Sequence, residues 1–283
     1  MSDLDPIDPS HVPDDVQEAI TADLLDYFVA LIGERPSGED VPPVAPMGSG
    51  TLVRIEERHF ILTAQHVWED LSPWTRVGLT ITPKESHFSI PRADFGVLDL
   101  RPDSVPWGPD LALLEIPRDR LGWIEANKPF LNLARQRNLI ESPIDPRRDH
   151  WAFVGMVGAW TDPKAGTEHG SVEVEAEARA FFTALAQPNR RGEFDYYDLS
   201  ADPRLSNVPR REGISTFKGM SGGGVWRVPL VKDARGRIHW NGERDLRGVA
   251  FFEEPTGEDQ MIVRCHAEKS IYEVAWRRWG LPE

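Results

Sequence analysis

The chain reads as an all-β protein with one helix near each end, and three patterns carry that reading. From Gly48 onward, apolar residues come in short runs separated by charged or glycine- and proline-rich turns. That spacing belongs to barrels or sandwiches rather than to alternating strand–helix units. The stretch Val172-Glu173-Val174-Glu175-Ala176-Glu177-Ala178 alternates with period two, the mark of a strand with one wet face. Apolar residues at helical spacing occur only in the first and last segments.

Taken in order, residues 1–46 form a helix followed by a proline-rich linker. Asp14 and Asp15 follow Pro13 and cap a helix whose apolar stripe runs Val16, Ile20, Leu24, Phe28 and Leu31, with Gly33 closing it. Pro36, Gly38, Pro42, Pro43 and Pro46 make the linker. Such a helix packs on the main body or docks a protein partner. Next, Gly50 to Ile55 and His59 to Thr63 flank the charged turn Glu56-Glu57-Arg58 and predict a hairpin. Val77 to Ile81, Phe95 to Leu100 and Leu111 to Ile116 continue the strands. A polar connection, Arg135 to Arg148, leads to a second strand-rich half with Trp151 to Val157, Gly224 to Val228, Leu246 to Phe252 and Met261 to Cys265. Glu268 to Trp279 carries Ile271, Val274 and Ala275 at helical spacing, with Arg277 and Arg278 at the negative end of the helix dipole. The expected units are 1–46, 47–130, 131–267 and a C-terminal helix at 268–283.

The length of 283 residues allows a large core, and no apolar run is long enough to cross a bilayer. With 32 basic and 46 acidic residues the net charge is −14, which repels nucleic-acid backbones and otherwise serves solubility. A single cysteine, Cys265, excludes an intrachain disulfide. The acidic start, Met1 to Pro6, lacks the basic and apolar regions of a secretory signal. Together these predict a reducing, cytoplasmic setting. His11, His59, His87, His150, His169 and His239 lack metal-ligand spacing, so no metal site and no cofactor is expected.

Three segments carry chemistry. Gly219-Met220-Ser221-Gly222-Gly223 presents a serine between glycines. A serine hydroxyl is protonated at neutral pH and needs a histidine to take its proton and a carboxylate to orient that histidine. Leu62-Thr63-Ala64-Gln65-His66 and Asp110-Leu111-Ala112-Leu113-Leu114 offer both. Asp94, ahead of Phe95-Gly96-Val97, is the rival carboxylate. Gly219 to Gly223 also satisfies the Gly-x-Ser-x-Gly elbow of α/β-hydrolases, which would enlist Asp245 and His266. That fold needs a parallel sheet before the serine, where this chain has short strands.

In their order and setting, the three segments resemble the signatures of chymotrypsin/trypsin-like serine peptidases, over roughly residues 48 to 267. Thr-Ala before His66, Asp110 before Ala-Leu-Leu, and Gly-x-Ser-Gly-Gly around Ser221 all fit. The resemblance implies two six-stranded antiparallel β-barrels with His66, Asp110 and Ser221 as a catalytic triad in the cleft between them. It further implies an oxyanion hole from the backbone N–H groups of Gly219 and Ser221. Ser215 would lie at the pocket base, and Phe251, Phe252 and Glu253 would form a pocket wall that meets substrate backbone. The implied activity is hydrolysis of a polypeptide substrate through an acyl-enzyme. Met220 replaces an aspartate used by many secreted members, and no Ile-Val-Gly-Gly activation sequence is present. This points to an enzyme competent as synthesised or switched without zymogen cleavage. Two other readings stand beside it: a catalytically silent scaffold of the same fold, and a protease activated by a partner at the N-terminal helix. For specificity, Ser215 points to a small or apolar side chain, whereas Glu253 and Glu254 would favour a basic one.

Overall fold

A computed structural model describes residues 7, 11–35, 44–81, 88–101, 107–139, 144–145, 147–157, 162–165, 172–175, 178–183, 188–201, 217–256 and 261–282. Helix α1, Asp14–Leu25, starts at Pro13, whose carbonyl accepts from Val16 N and Gln17 N. Asp14 and Asp15 do not cap it; they lie in its first turn, where their charge meets the positive dipole end. The helix stops at Leu25, before the Phe28 and Leu31 of its expected stripe. Phe28–Glu34 is instead strand β1, buried along its whole length. In Phe28-Val29-Ala30-Leu31-Ile32 every residue is apolar, so helical spacing fits by default, and a strand covered on both faces has the same signature. Gly33 does not close a helix: a Cβ there would come within 2.5 Å of the Trp74 ring.

The first sheet continues with β2 (Val44–Ile55), β3 (Arg58–Thr63), β4 (Arg76–Leu79), β5 (Phe88–Pro91), β6 (Gly96–Leu100), β7 (Leu111–Glu115) and β8 (Leu131–Asn132). Its order is β5-β4-β1-β2-β3-β7-β6, with β8 joining β2 in the one parallel pairing among the described residues. The expected hairpin is present: Ile55 pairs with Arg58 across Glu56–Glu57. Helix α2 (Gln65–Asp70) follows β3, and α3 (Arg118–Glu125) and α4 (Leu133–Leu139) flank β8.

The second half holds β9 (Asp149–Met156), a small ribbon of β10 (Asp162–Ala165) and β11 (Val172–Glu175), then β12 (Ala178–Thr183), β13 (Asn189–Arg191) and β14 (Phe194–Ala201). It ends with β15 (Gly224–Lys232), β16 (Ile238–Trp240), β17 (Asp245–Pro255) and β18 (Met261–His266). The order is β12-β9-β15-β17-β18-β14-β13, with β16 on β15. The C-terminal helix runs through a π segment, Ser270–Ala275, into α5, Trp276–Arg278.

The protein is therefore all-β, two sheets with few helices, consistent with a chymotrypsin-like double barrel. Each sheet has eight strands among the described residues rather than six. The extra members include β1, drawn from the segment expected to be helical, and the two-residue β8, too short to show in a pattern. The expected strand over 172–178 ends at Glu175, and β12 begins separately at Ala178.

Strand β9 shows how the cores are divided. Ala152, Val154 and Met156 point into a large core shared with the first sheet, whereas Trp151 and Phe153 point into a second cluster with Phe181, Phe217 and Met220. Alternation along one strand thus feeds two cores. Each fully buried side chain of this size contributes roughly 1.5–3 kcal/mol. The sheets approach each other where β1 and β2 contact β9.

Candidate active site

His66 is the second residue of α2, which starts directly after β3. Asp110 precedes β7 and follows the turn Trp107-Gly108-Pro109, which has a cis Gly108–Pro109 bond and a left-handed Gly108 (φ 59°). Because β3 and β7 are neighbours, with Thr63 opposite Ala112, the two residues leave adjacent strand ends. The result is a two-point clamp. The His66 main-chain N–H donates to Asp110 Oδ1 at 2.9 Å, and His66 Nδ1 lies 2.6 Å from Asp110 Oδ2. The Asp110 side chain is 8% exposed, the His66 side chain 35%. The carboxylate is shielded while the imidazole keeps an open edge.

Burial opposes charging of His66, but the hydrogen bond and charge of Asp110, with Asp70 and Glu69 nearby, outweigh it. Its pKa is raised above the ordinary 6.5. The rival carboxylate, Asp94, is exposed in a 3-10 turn. Asp245 is engaged by Arg227 and Arg247, and the sheet next to the serine is antiparallel, so the hydrolase-elbow reading fails.

Ser221 is the second residue of the second of two successive turns. Met220 N–H donates to Phe217 O at 3.0 Å, and Gly223 N–H to Met220 O at 2.8 Å. The third residue of each turn, Gly219 (φ 97°) and Gly222 (φ 86°), has the positive φ that a type II turn demands. A Cβ on Gly222 would also meet Ser49 O at 2.0 Å and Thr63 Oγ1 at 2.1 Å. Ser49 holds the loop from the other sheet. Its Oγ donates to Gly219 O (2.7 Å) and accepts from Met156 N (2.8 Å), and its N–H donates to Ser221 O (2.8 Å). Neither the Gly219 nor the Ser221 amide donates to a carbonyl among the described residues.

The serine loop and the His66 helix are neighbours. A Cβ on Gly48 would touch both the Val67 side chain and Ser221 O. Ser221 Oγ makes no hydrogen bond to His66 among the described residues: the structure joins His66 to Asp110 directly, and Ser221 approaches the His66 helix through its carbonyl near Gly48 and Val67. Met220 is 2% exposed and packs over Gly155.

Ser215 lies outside the described residues. Strand β17 adjoins the serine loop, with Gly222 N–H donating to Ala250 O and Ala250 N–H to Gly223 O. Phe251, at an irregularity in β17, turns inward and stacks on His266 with centroids 4.5 Å apart, so its side chain is core rather than pocket wall. Phe252 is partly buried beside Arg264, and the Glu253 carboxylate accepts from Phe217 N–H at the start of the loop.

The sequence reading does not find the role of two residues. Ser49 has no signature beyond lying between glycines, and His266 is named only as the histidine of the rejected hydrolase elbow. His266 is fully buried and its Nε2 accepts the Asp110 main-chain N–H at 3.0 Å. Among the described residues, no group of three or more His, Cys, Asp or Glu could hold a metal ion, and no helix is long and apolar enough to cross a membrane. A cavity of about 560 Å³ lined by Tyr27, Arg54, Phe130, Arg135, Arg227 and Arg244 contains none of His66, Asp110 or Ser221.

No family model and no curated protein matches the chain. Among solved structures, it is similar to an HtrA-type protease, AlgW, with a decapeptide: 15% identity over 91% of this chain, TM-score 0.45. The chain spans 65% of the length of that structure. It is also similar to a structure described in terms of coupled folding and binding of the Sesbania mosaic virus VPg protein, at 14% identity over 87% of each chain, TM-score 0.38. At this overlap neither likeness bears on function.

Proposed function

We propose that the chain is a chymotrypsin/trypsin-like serine endopeptidase, with His66, Asp110 and Ser221 as its triad. The two-point His66–Asp110 clamp carries the reading. It commits Nδ1 to the carboxylate and leaves Nε2 as the ring nitrogen free to serve as base, the role this reading gives it toward Ser221. In the reaction, His66 Nε2 takes the Ser221 proton as Oγ attacks the peptide carbonyl. The amides of Gly219 and Ser221 stabilise the oxyanion, each such donor being worth about 2.7–4 kcal/mol of barrier. His66 then returns its proton to the leaving amine, and water, deprotonated by the same imidazole, releases the acyl group. Asp110 stabilises the imidazolium and stays ionised throughout. No metal or cofactor enters these steps.

A polypeptide substrate would lie along β17 near Phe252 and Glu253, with Ser215 at the pocket base. The reading places the enzyme in the cytoplasm, where its single cysteine, Cys265, needs no disulfide partner. Fluorophosphonate labelling tests the reading: Ser221 should carry the adduct by peptide mass spectrometry, and Ser221→Ala should carry none. A folded, unlabelled wild-type protein would overturn it. One observation favours a second reading, a silent or partner-activated member: Ser221 Oγ is not hydrogen-bonded to His66 here. Helix α1, which contacts β12 and β16, is where a partner would act. Labelling that appears only with an added partner would select that reading.

A further inference from the structure

We propose that His266 is a positioning residue for the His66–Asp110 pair, because its Nε2 accepts the Asp110 main-chain N–H and so sets where the carboxylate lies. The role rests on the peptidase reading only for its kinetic consequence; the geometry stands by itself. His266 ends β18 and lies opposite Tyr196 of β14 and Val249 of β17. Three strands of the second sheet thus aim one imidazole at the residue just before β7 of the first sheet.

The ring has little freedom. It stacks on Phe251 at an interplanar angle of 25°, with Tyr196 and Phe194 centroids at 5.1 and 6.1 Å. Tyr196 also donates its hydroxyl to Trp107 O, pinning the same turn from a second side. Close approach needs a glycine: a Cβ on Gly108 would sit 2.9 Å from His266 Nε2. Burial disfavours the charged ring and holds its pKa near 3, despite the Asp110 charge nearby. The ring is neutral at working pH, and accepting at Nε2 assigns its hydrogen to Nδ1. That buried Nδ1 has no partner among the described residues. Phenylalanine would fit so aromatic a cage and would remove the unpaired Nδ1, but it would strand the buried Asp110 N–H, which is costly. The function of the imidazole is therefore at Nε2.

Imidazole ¹⁵N–¹H spectra of the unaltered protein give the first test. His266 should be protonated at Nδ1 and bare at Nε2; an Nε2–H tautomer could not accept from Asp110 and would overturn the proposal. The same spectra follow His66. In His266→Phe its pKa should fall back toward the ordinary value as Asp110 loosens. In His266→Gln, whose side-chain carbonyl can reach the same point, it should recover. Fluorophosphonate labelling should drop on the order of ten- to a hundredfold in His266→Phe, with rescue by His266→Gln. A folded His266→Phe protein with an unchanged His66 titration would refute the role. If His266→Phe does not fold, the tautomer decides. If the unaltered protein takes no label, the peptidase reading fails while the spectra still decide the positioning role.

Discussion

Ser49 donates its hydroxyl to the carbonyl of Gly219 while accepting from the Met156 amide, so one buried oxygen ties the first sheet to both the serine loop and β9. The Gly219 carbonyl is thereby held against β2, while the Gly219 and Ser221 amides donate to no backbone carbonyl among the described residues.

Ser49→Ala should remove both bonds and strand the Met156 N–H in the interior. The expected loss is about 1–3 kcal/mol, read by urea denaturation. On the proposed reading, labelling of Ser221 should fall further than that destabilisation accounts for, because the loop carrying the proposed oxyanion donors Gly219 and Ser221 has lost an anchor.

The His66–Asp110 clamp predicts a pH profile. The pKa of His66 is raised, and only the neutral imidazole can take a proton, so kcat/KM should climb with pH through a midpoint above 6.5. For stability the sign is opposite: a raised folded-state pKa contributes below the unfolded value, and the contribution is lost as pH rises through the folded one. Asp110→Asn should move the acid limb down and lower kcat by about 10⁴-fold, the loss expected when the orienting carboxylate becomes an amide. Measuring kcat/KM from pH 5 to 9 in both proteins checks this.

Lys128 supplies a third prediction, away from the site. Its ammonium donates to Leu25 O at the end of α1 and to Phe28 O at the start of β1, both at 2.8 Å. Burial lowers its pKa to about 8, partly opposed by Asp26. Between that value and its ordinary 10.5 the unfolded chain binds more protons than the folded one, so this lysine makes stability rise with pH across the window. Lys128→Met should flatten that rise and cost about 1–3 kcal/mol for the two stranded carbonyls. Urea denaturation of both proteins from pH 7 to 10, compared as a difference, tests it.

The all-β class and the hairpin around Glu56–Glu57 were legible in sequence because strand alternation and turn residues are local. His66 and Asp110 could be singled out the same way, each beside a short apolar strand with its own pattern. The sequence could not show that Phe28–Glu34 is a strand. A run of uniform apolarity has no period of its own, and only its neighbours β2 and β4 choose between helix and strand. Phe251 likewise reads as pocket wall until the irregularity in β17 turns it toward His266.

Local chemistry in the chain thus determined which residues could act and in what kind of fold. Tertiary structure alone decided what holds them: Ser49 beneath the Gly219 carbonyl and His266 behind Asp110, 156 positions apart. The physical reason is that hydrogen bonds between distant strands depend on where whole sheets pack. No window of sequence contains that information.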